Sequence, residues 1–187
     1  MNLSPVKIEI LEALLLREKP VKALEIAQEI AVDRPAVQMH LIGLVRMGCA
    51  ASPAKGFYVI SENGKKALGI PEVTKELALR ILGHTSLDKS FYFYKEIGRP
   101  LNLLAQDLLS FCDKITKVDD ESIKFHTERG DFEVWFEALG DVELVKKMSF
   151  LKRKDLPSEE LRAKIREMVE NRCIKLSMSA GKASTVI

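Results

Sequence analysis

Residues 23–69 read ALEIAQEIAVDRPAVQMHLIGLVRMGCAASPAKGFYVISENGKKALG, and the order of their signals decides how the first part of the chain folds. Leu24, Ile26, Ala27 and Ile30 mark a short helix, and Ala31-Val32 make a turn. Asp33 is placed to cap the next helix, with Pro35 in its first turn. Val37, Leu41 and Leu44, at i, i+4 and i+7, give that helix one buried seam. Gly48 suits a left-handed stop. The period then changes. Cys49 to Ser52 and Phe57 to Ile60 are short β-compatible runs separated by Pro-Ala-Lys-Gly, which reads as a hairpin. Ser61 can cap one more short helix, ENGKKAL.

Upstream, Ser4-Pro5 can open a helix, with a hydroxyl for the free amides and a proline where its missing N–H costs nothing. Ile8, Leu11, Leu14 and Leu15 give it an apolar stripe, and Glu18-Lys19-Pro20 ends it. The string YVISENGKKAL resembles the wing strand and following helix of many archaeal and bacterial winged helix-turn-helix regulators. The resemblance covers residues 4–69. It implies a mainly α chain whose first domain, residues 1–70, is a winged helix of three helices plus a small β-hairpin wing. It also implies a DNA-binding transcriptional regulator of archaeal type, with double-stranded DNA as partner; a homodimer is expected because one protomer's footprint is weak. The alternative is a protein-interaction module whose winged helix no longer reads DNA, since one fold serves both roles.

Chemistry bears on that choice. With Leu41 at the core centre and about 100° per residue, the outward face of the third helix carries Pro35, Ala36, Met39, Ile42, Gly43 and Arg46. Gln38 and His40 flank it and Arg34 stands at its start. The DNA-contacting candidates are therefore Arg34, Gln38, His40 and Arg46, with Lys55 on the wing and Lys65 and Lys66 beyond it. Base edges are read chiefly by Arg, Lys, Asn and Gln, and the centre of this face has none of them. Ala36, Met39 and Gly43 fit a packing surface equally well.

Residues 71–86 read as a linker helix, Glu72 to Leu82, and a connector closed by Gly83 and His84-Thr85-Ser86. LDKSFYFYKEI, from Leu87 to Ile97, is compatible with a strand or a buried helix; the helix is preferred because Ser86 can cap it. Leu103, Leu104, Leu108, Leu109 and Phe111 fit one amphipathic helix ending near Thr116. Further helices follow from Asp119 to Arg129, from Asp131 through Trp135 to Leu139, and from Val142 to Phe150, with Gly130-Asp131 and Gly140-Asp141 as stop-and-cap pairs. After Pro157 a long helix sets Leu161, Ile165, Met168, Val169, Ile174 and Leu176 on its apolar side. Residues 87–178 thus form an expected helical domain, and 179–187 a tail expected to fray.

Within it, SIKFHTERGDFEVWFEALGDVEL carries His126, Arg129, Gly130, Asp131, Phe132, Trp135, Gly140 and Asp141. This pattern resembles an archaeal family of uncharacterised domains to which no reaction is attached. Read as chemistry, His126 and Arg129 share a helix face at i and i+3, with Asp131 just past the glycine. A carboxylate can orient the imidazole and an arginine can hold an anion, so His126, Arg129 and Asp131 are candidate ligand-binding residues. In the alternative reading Asp131 is an N-cap, Arg129 neutralises a helix end, His126 is a partly buried spacer and Trp135 is core.

Composition narrows the classes. Charged residues make up 30% of the 187, yet the net charge is only +2. That balance does not suggest a polybasic coat or an acidic tail. No apolar run is long enough for a bilayer, no signal peptide is expected, and the expected compartment is the cytoplasm. Three dispersed cysteines signal neither a disulfide framework nor a zinc site. With no phosphate loop, HExxH or nucleophile elbow, no enzyme, cofactor or metal is expected.

Overall fold

The helix-forming signals at the start of the chain produce α1, Pro5–Arg17, which buries Ile10, Leu11, Ala13, Leu14 and Leu15. The computed structural model describes residues 3–181 of the chain. Ser4 holds the N-cap position, but its hydroxyl makes no capping bond; Pro5 alone sets the start. The chain divides into two compact units, one through Glu72 and one from Val73.

In the first unit, β1 (Val21–Lys22) precedes α2 (Ala23–Glu29), α3 (Arg34–Arg46), β2 (Ala50–Ala54), β3 (Phe57–Ile60) and α4 (Glu62–Ala67). The three strands form an antiparallel sheet in the order β1-β3-β2, with Val21 opposite Tyr58 and Lys22 opposite Phe57. Strand β1 is a finding that local sequence does not suggest. Gly56 turns the hairpin at φ 80° and Gly48 ends α3 at φ 70°. Both conformations are costly for any side chain with a Cβ. Ser61 is a joint. Its hydroxyl donates to Gly48 O at 2.5 Å and accepts from Gly64 N at 3.1 Å, locking α4 against the start of β2. Gly64 meets that strand so closely that a Cβ there would lie 2.1 Å from Cys49 O.

The second unit begins with α5, Lys75–Ile81, capped by Thr74. The expected linker helix is therefore part of a domain, buried through Ala78 and Ile81 and packed on the last helix. A single 3-10 turn, Leu87–Lys89, leads to β4 (Phe91–Glu96), which pairs antiparallel with β5 (Arg99–Ala105). Two helical expectations are corrected here. Residues 91–96 alternate, with Phe91 and Phe93 buried and Tyr92 exposed, which is the period of a half-covered strand. Leu101, Leu103 and Leu104 belong to β5, and the helix starts only after Asp107, whose carboxylate accepts from Ser110 N at 2.7 Å. The second domain is thus helical around a two-stranded hairpin.

Four shorter helices follow: α6 (Leu108–Ile115), α7 (Asp120–Arg129), α8 (Asp131–Leu139) and α9 (Val142–Lys152). Helix α10, Ser158–Ser179, packs on α5, α6, α7 and α9. Ile174, expected on its apolar side, is 45% exposed; Arg172 and Cys173 are buried in its place. Ser179 closes α10, and the rest of the expected tail from 182 onward lies outside the described residues. The core is aromatic: Phe91 stacks on Phe132 at 5.2 Å and Phe111 on Trp135 at 5.3 Å between centroids. Cys112 on α6 and Cys173 on α10 are both buried, and the neighbouring Cys173 thiol together with burial raises the Cys112 thiol far above its ordinary range. Both behave as small core residues rather than as nucleophiles.

A cluster of four charges is also buried. Arg172 Nε donates to Asp141 at 2.7 Å and Arg172 Nη1 to Glu143 at 2.9 Å, while Lys147 Nζ lies 2.8 Å from Glu143. Asp141 also caps α9 by accepting from Leu144 N at 3.1 Å. Two acids and two bases cancel, which is how such groups are tolerated away from water.

Candidate functional site

Helix α3 is held by a local device. Asp33 Oδ2 accepts from Ala36 N at 3.0 Å, Pro35 occupies the first turn, and Val37, Leu41 and Leu44 are buried. On the opposite face Pro35 and Arg46 are exposed and Met39 is 69% exposed, while Arg34 is exposed at the start of the helix, on the side of the buried seam. Gln38 is not available as a base reader, because its Nε2 donates to Tyr58 OH at 2.5 Å and ties α3 to β3. His40 is half-buried. Gly43 is half-buried, and a Cβ added there would lie 3.8 Å from Lys7 Cε and Nζ on α1, so the lysine side chain passes over that part of the expected outer face. Lys55 stands exposed at the hairpin turn. Lys65 pairs with Glu62 at 2.9 Å and Lys66 with Glu72 at 3.2 Å. Of the seven sequence candidates, Arg34, Arg46 and Lys55 therefore remain exposed and outside the ion pairs of the described residues.

The second candidate site lies at the α7–α8 corner. Gly130 turns the chain at φ 77° and takes the N-cap position of α8, so Asp131 is not the cap. Its carboxylate instead receives His126 Nδ1 at 2.8 Å and Arg129 Nε at 3.1 Å. On the other side of the ring, Tyr94 N–H donates to His126 Nε2 at 2.8 Å. A backbone amide can only donate, so Nε2 accepts and the ring proton sits on Nδ1, facing the carboxylate. His126 is buried against Phe91 (4.9 Å), Phe125 (5.1 Å) and Phe132 (5.6 Å). Burial lowers its pKa below the ordinary histidine value, and Asp131 opposes that shift without reversing it.

The three residues expected together are together, but with a different distribution of roles. Both imidazole nitrogens are spent, so His126 is a rivet between β4 and the helix corner rather than a free base. Arg129 is half exposed, and its guanidinium lies over the Phe125 ring at 5.1 Å. Beside it opens a groove of about 430 Å³, lined among others by Tyr94, Ile97, Phe125, Arg129, Val134 and Trp135. Tyr94 and the β4–β5 turn are parts of this site that the sequence reading omits. The alternation of FYFY is the signal that could find them.

Among the described residues no group of three or more His, Cys, Asp or Glu side chains is placed to hold a metal ion. No described helix is long and apolar enough to cross a membrane. Compared with protein-family models, curated proteins and solved structures, the chain matches none.

Proposed function

We propose that the chain is a cytoplasmic transcriptional regulator of archaeal type, whose first unit is a winged helix that docks on double-stranded DNA. In this reading α3 enters the major groove, the β2–β3 turn is the wing, and the second unit dimerises or senses. The observation that carries it is the exposure of α3 at Met39 and Arg46, with Arg34 exposed at the start of the helix and Lys55 exposed on the hairpin turn. Arg34 and Arg46 stand twelve residues apart, about 18 Å along the helix. A major groove is about 12 Å wide, so two extended arginines at that spacing can reach phosphates on both of its walls. Met39 then lies over the base edges, where an apolar side chain can meet only a thymine methyl. Affinity would come mainly from phosphates, with modest sequence preference.

The test is salt dependence. Three cations per protomer, doubled in a homodimer, give a slope of about −5.4 in log K against log salt, so doubling the salt weakens binding roughly 40-fold. Reversing Arg34 and Lys55 together should abolish binding to genomic fragments. Absent or salt-independent binding overturns the reading.

A second reading is favoured by one observation, the commitment of Gln38 to Tyr58, which takes from α3 a side chain that could read bases, while the exposure of Met39 in the single chain weighs against it unless a partner covers that face. There the same helix packs on protein, a second copy of the chain being the simplest partner. Met39→Glu would then convert a dimer to a monomer in sedimentation, and no duplex would bind at any salt.

A further inference from the structure

We infer that the groove at the α7–α8 corner is a binding site for a small amphipathic carboxylate: an apolar, preferably aromatic body with one anionic end. The site belongs to the second unit and does not depend on whether the first binds DNA.

Three of its polar side chains are already spent. Trp135 Nε1 donates to Lys89 O at 3.1 Å, Tyr92 OH donates to Leu87 O at 3.0 Å, and His126 uses both ring nitrogens. What these residues turn towards the groove is ring surface held in place by bonds at the polar ends. Ile97, 80% exposed, and Val134, 66% exposed, add aliphatic surface that no described residue covers. The groove encloses about 430 Å³. That falls within the range of pockets that take drug-sized molecules, which are mostly apolar with a few fixed polar groups.

Arg129 supplies the fixed polar group. Its Nε is bound to Asp131 and its Cζ lies 5.1 Å from the centre of the Phe125 ring, two contacts that restrain the guanidinium. The hydrogen bonds of the described residues leave its two terminal nitrogens without a partner. Asp131 is engaged by His126 and the Nε edge of Arg129, so its charge is drawn to one side of the guanidinium. The opposite edge presents two parallel N–H donors at the groove rim, the geometry that a carboxylate matches. An arginine already restrained at Nε loses less freedom on binding than a free one.

Trp135 is the single tryptophan of the chain and lines the groove, so its emission reports occupancy directly. The experiment titrates the full chain with 4-phenylbutyrate and with its neutral and cationic counterparts, 4-phenylbutanol and 4-phenylbutylamine. The acid should change Trp135 emission saturably at millimolar concentration or below, at least about tenfold tighter than either counterpart, as a charge-assisted bidentate contact requires. Arg129→Gln should bring the acid down to the alcohol's level. Val134→Phe, at an exposed helix position, should fill the groove and weaken the acid and the alcohol alike, with helix content unchanged by circular dichroism. If Arg129→Gln disturbs the fold, Val134→Phe still decides. No binding of the acid, equal binding of acid and alcohol, or preference for the amine overturns the inference. So does Trp135 emission that changes with protein concentration alone, since a second copy would then be the occupant.

Discussion

Acid should loosen the second unit through His126, and the size of the effect follows from its three contacts. The folded ring is neutral, with Nε2 accepting from Tyr94 N–H. A proton added at Nε2 would set donor against donor in a buried site, which costs on the order of 1–3 kcal/mol. The folded pKa is therefore depressed, chiefly by burial. Above the ordinary histidine value of about 6.5 both folded and unfolded chains are neutral, and the full contribution to stability is present. Below it the unfolded chain takes up a proton that the folded chain refuses. Stability then falls by at most about 1.4 kcal/mol per pH unit until the depressed folded pKa is reached. Glu133, whose carboxyl is raised by its own burial, works in the opposite direction at lower pH, so the informative quantity is a difference between two proteins. Urea unfolding at several pH values between 7.5 and 5, read by Trp135 emission, should show this fall in the wild type and not in His126→Gln. The glutamine keeps an acceptor for Tyr94 without a titrating group. His126→Leu should also lose the acid dependence and should cost about 2–4 kcal/mol at neutral pH, because it leaves the Tyr94 amide unpaired and removes one partner of Asp131. An acid slope in His126→Gln equal to that of the wild type would refute the assignment of the proton to this ring.

Two further substitutions test the packing. Arg172→Met strips Asp141 and Glu143 of their shared partner inside the core. It should cost about 3–5 kcal/mol in urea unfolding; a loss below about 1 kcal/mol would mean that the acids find water. Gly64→Ala should destabilise the first unit by about 1–3 kcal/mol despite alanine's better helix propensity, because the new Cβ meets backbone, which cannot swing aside. Faster hydrogen exchange at β2 and α4 amides is its signature.

Much of the first unit is legible in the sequence because its signals are local. Asp33 and Ser61 each accept from an amide three residues on, Gly48 stops α3 through its own left-handed φ, and each does in the structure what its chemistry suggests. Strand β1 is not legible, since two residues have no period and Val21 becomes a strand only by meeting Tyr58. In the second unit, Leu103-Leu104 and Leu108-Leu109 fall on spacings that a helix tolerates. The break between them is carried by Asp107 and its bond to Ser110, an N-terminal signal inside an apolar run. At the candidate site the proximity of His126, Arg129 and Asp131 follows from helix spacing. The roles do not, because the partner that fixes the ring is the amide of Tyr94, thirty-two residues earlier. Glu143 and Lys147 likewise look like a surface i,i+4 pair until Arg172, on a distant helix, closes over them.

The placement of α10 also constrains the order in which the protein can form as it is made. The first unit holds all its own strands and helices by Glu72 and can close while the ribosome is still reading the rest. The second cannot, because α5, α6, α7 and α9 all lean on a helix that is complete only at Ser179. At ordinary elongation rates of roughly 5–20 residues per second, about 5–20 s separate the two events. Until α10 emerges, the faces of α5, α6, α7 and α9 that it packs on, Phe111 and Ile123 among their buried residues, lack that cover. Slow codons or a stalled ribosome before residue 158 would thus leave a nascent chain with a finished head and a sticky, unfinished body, the form most in need of a chaperone.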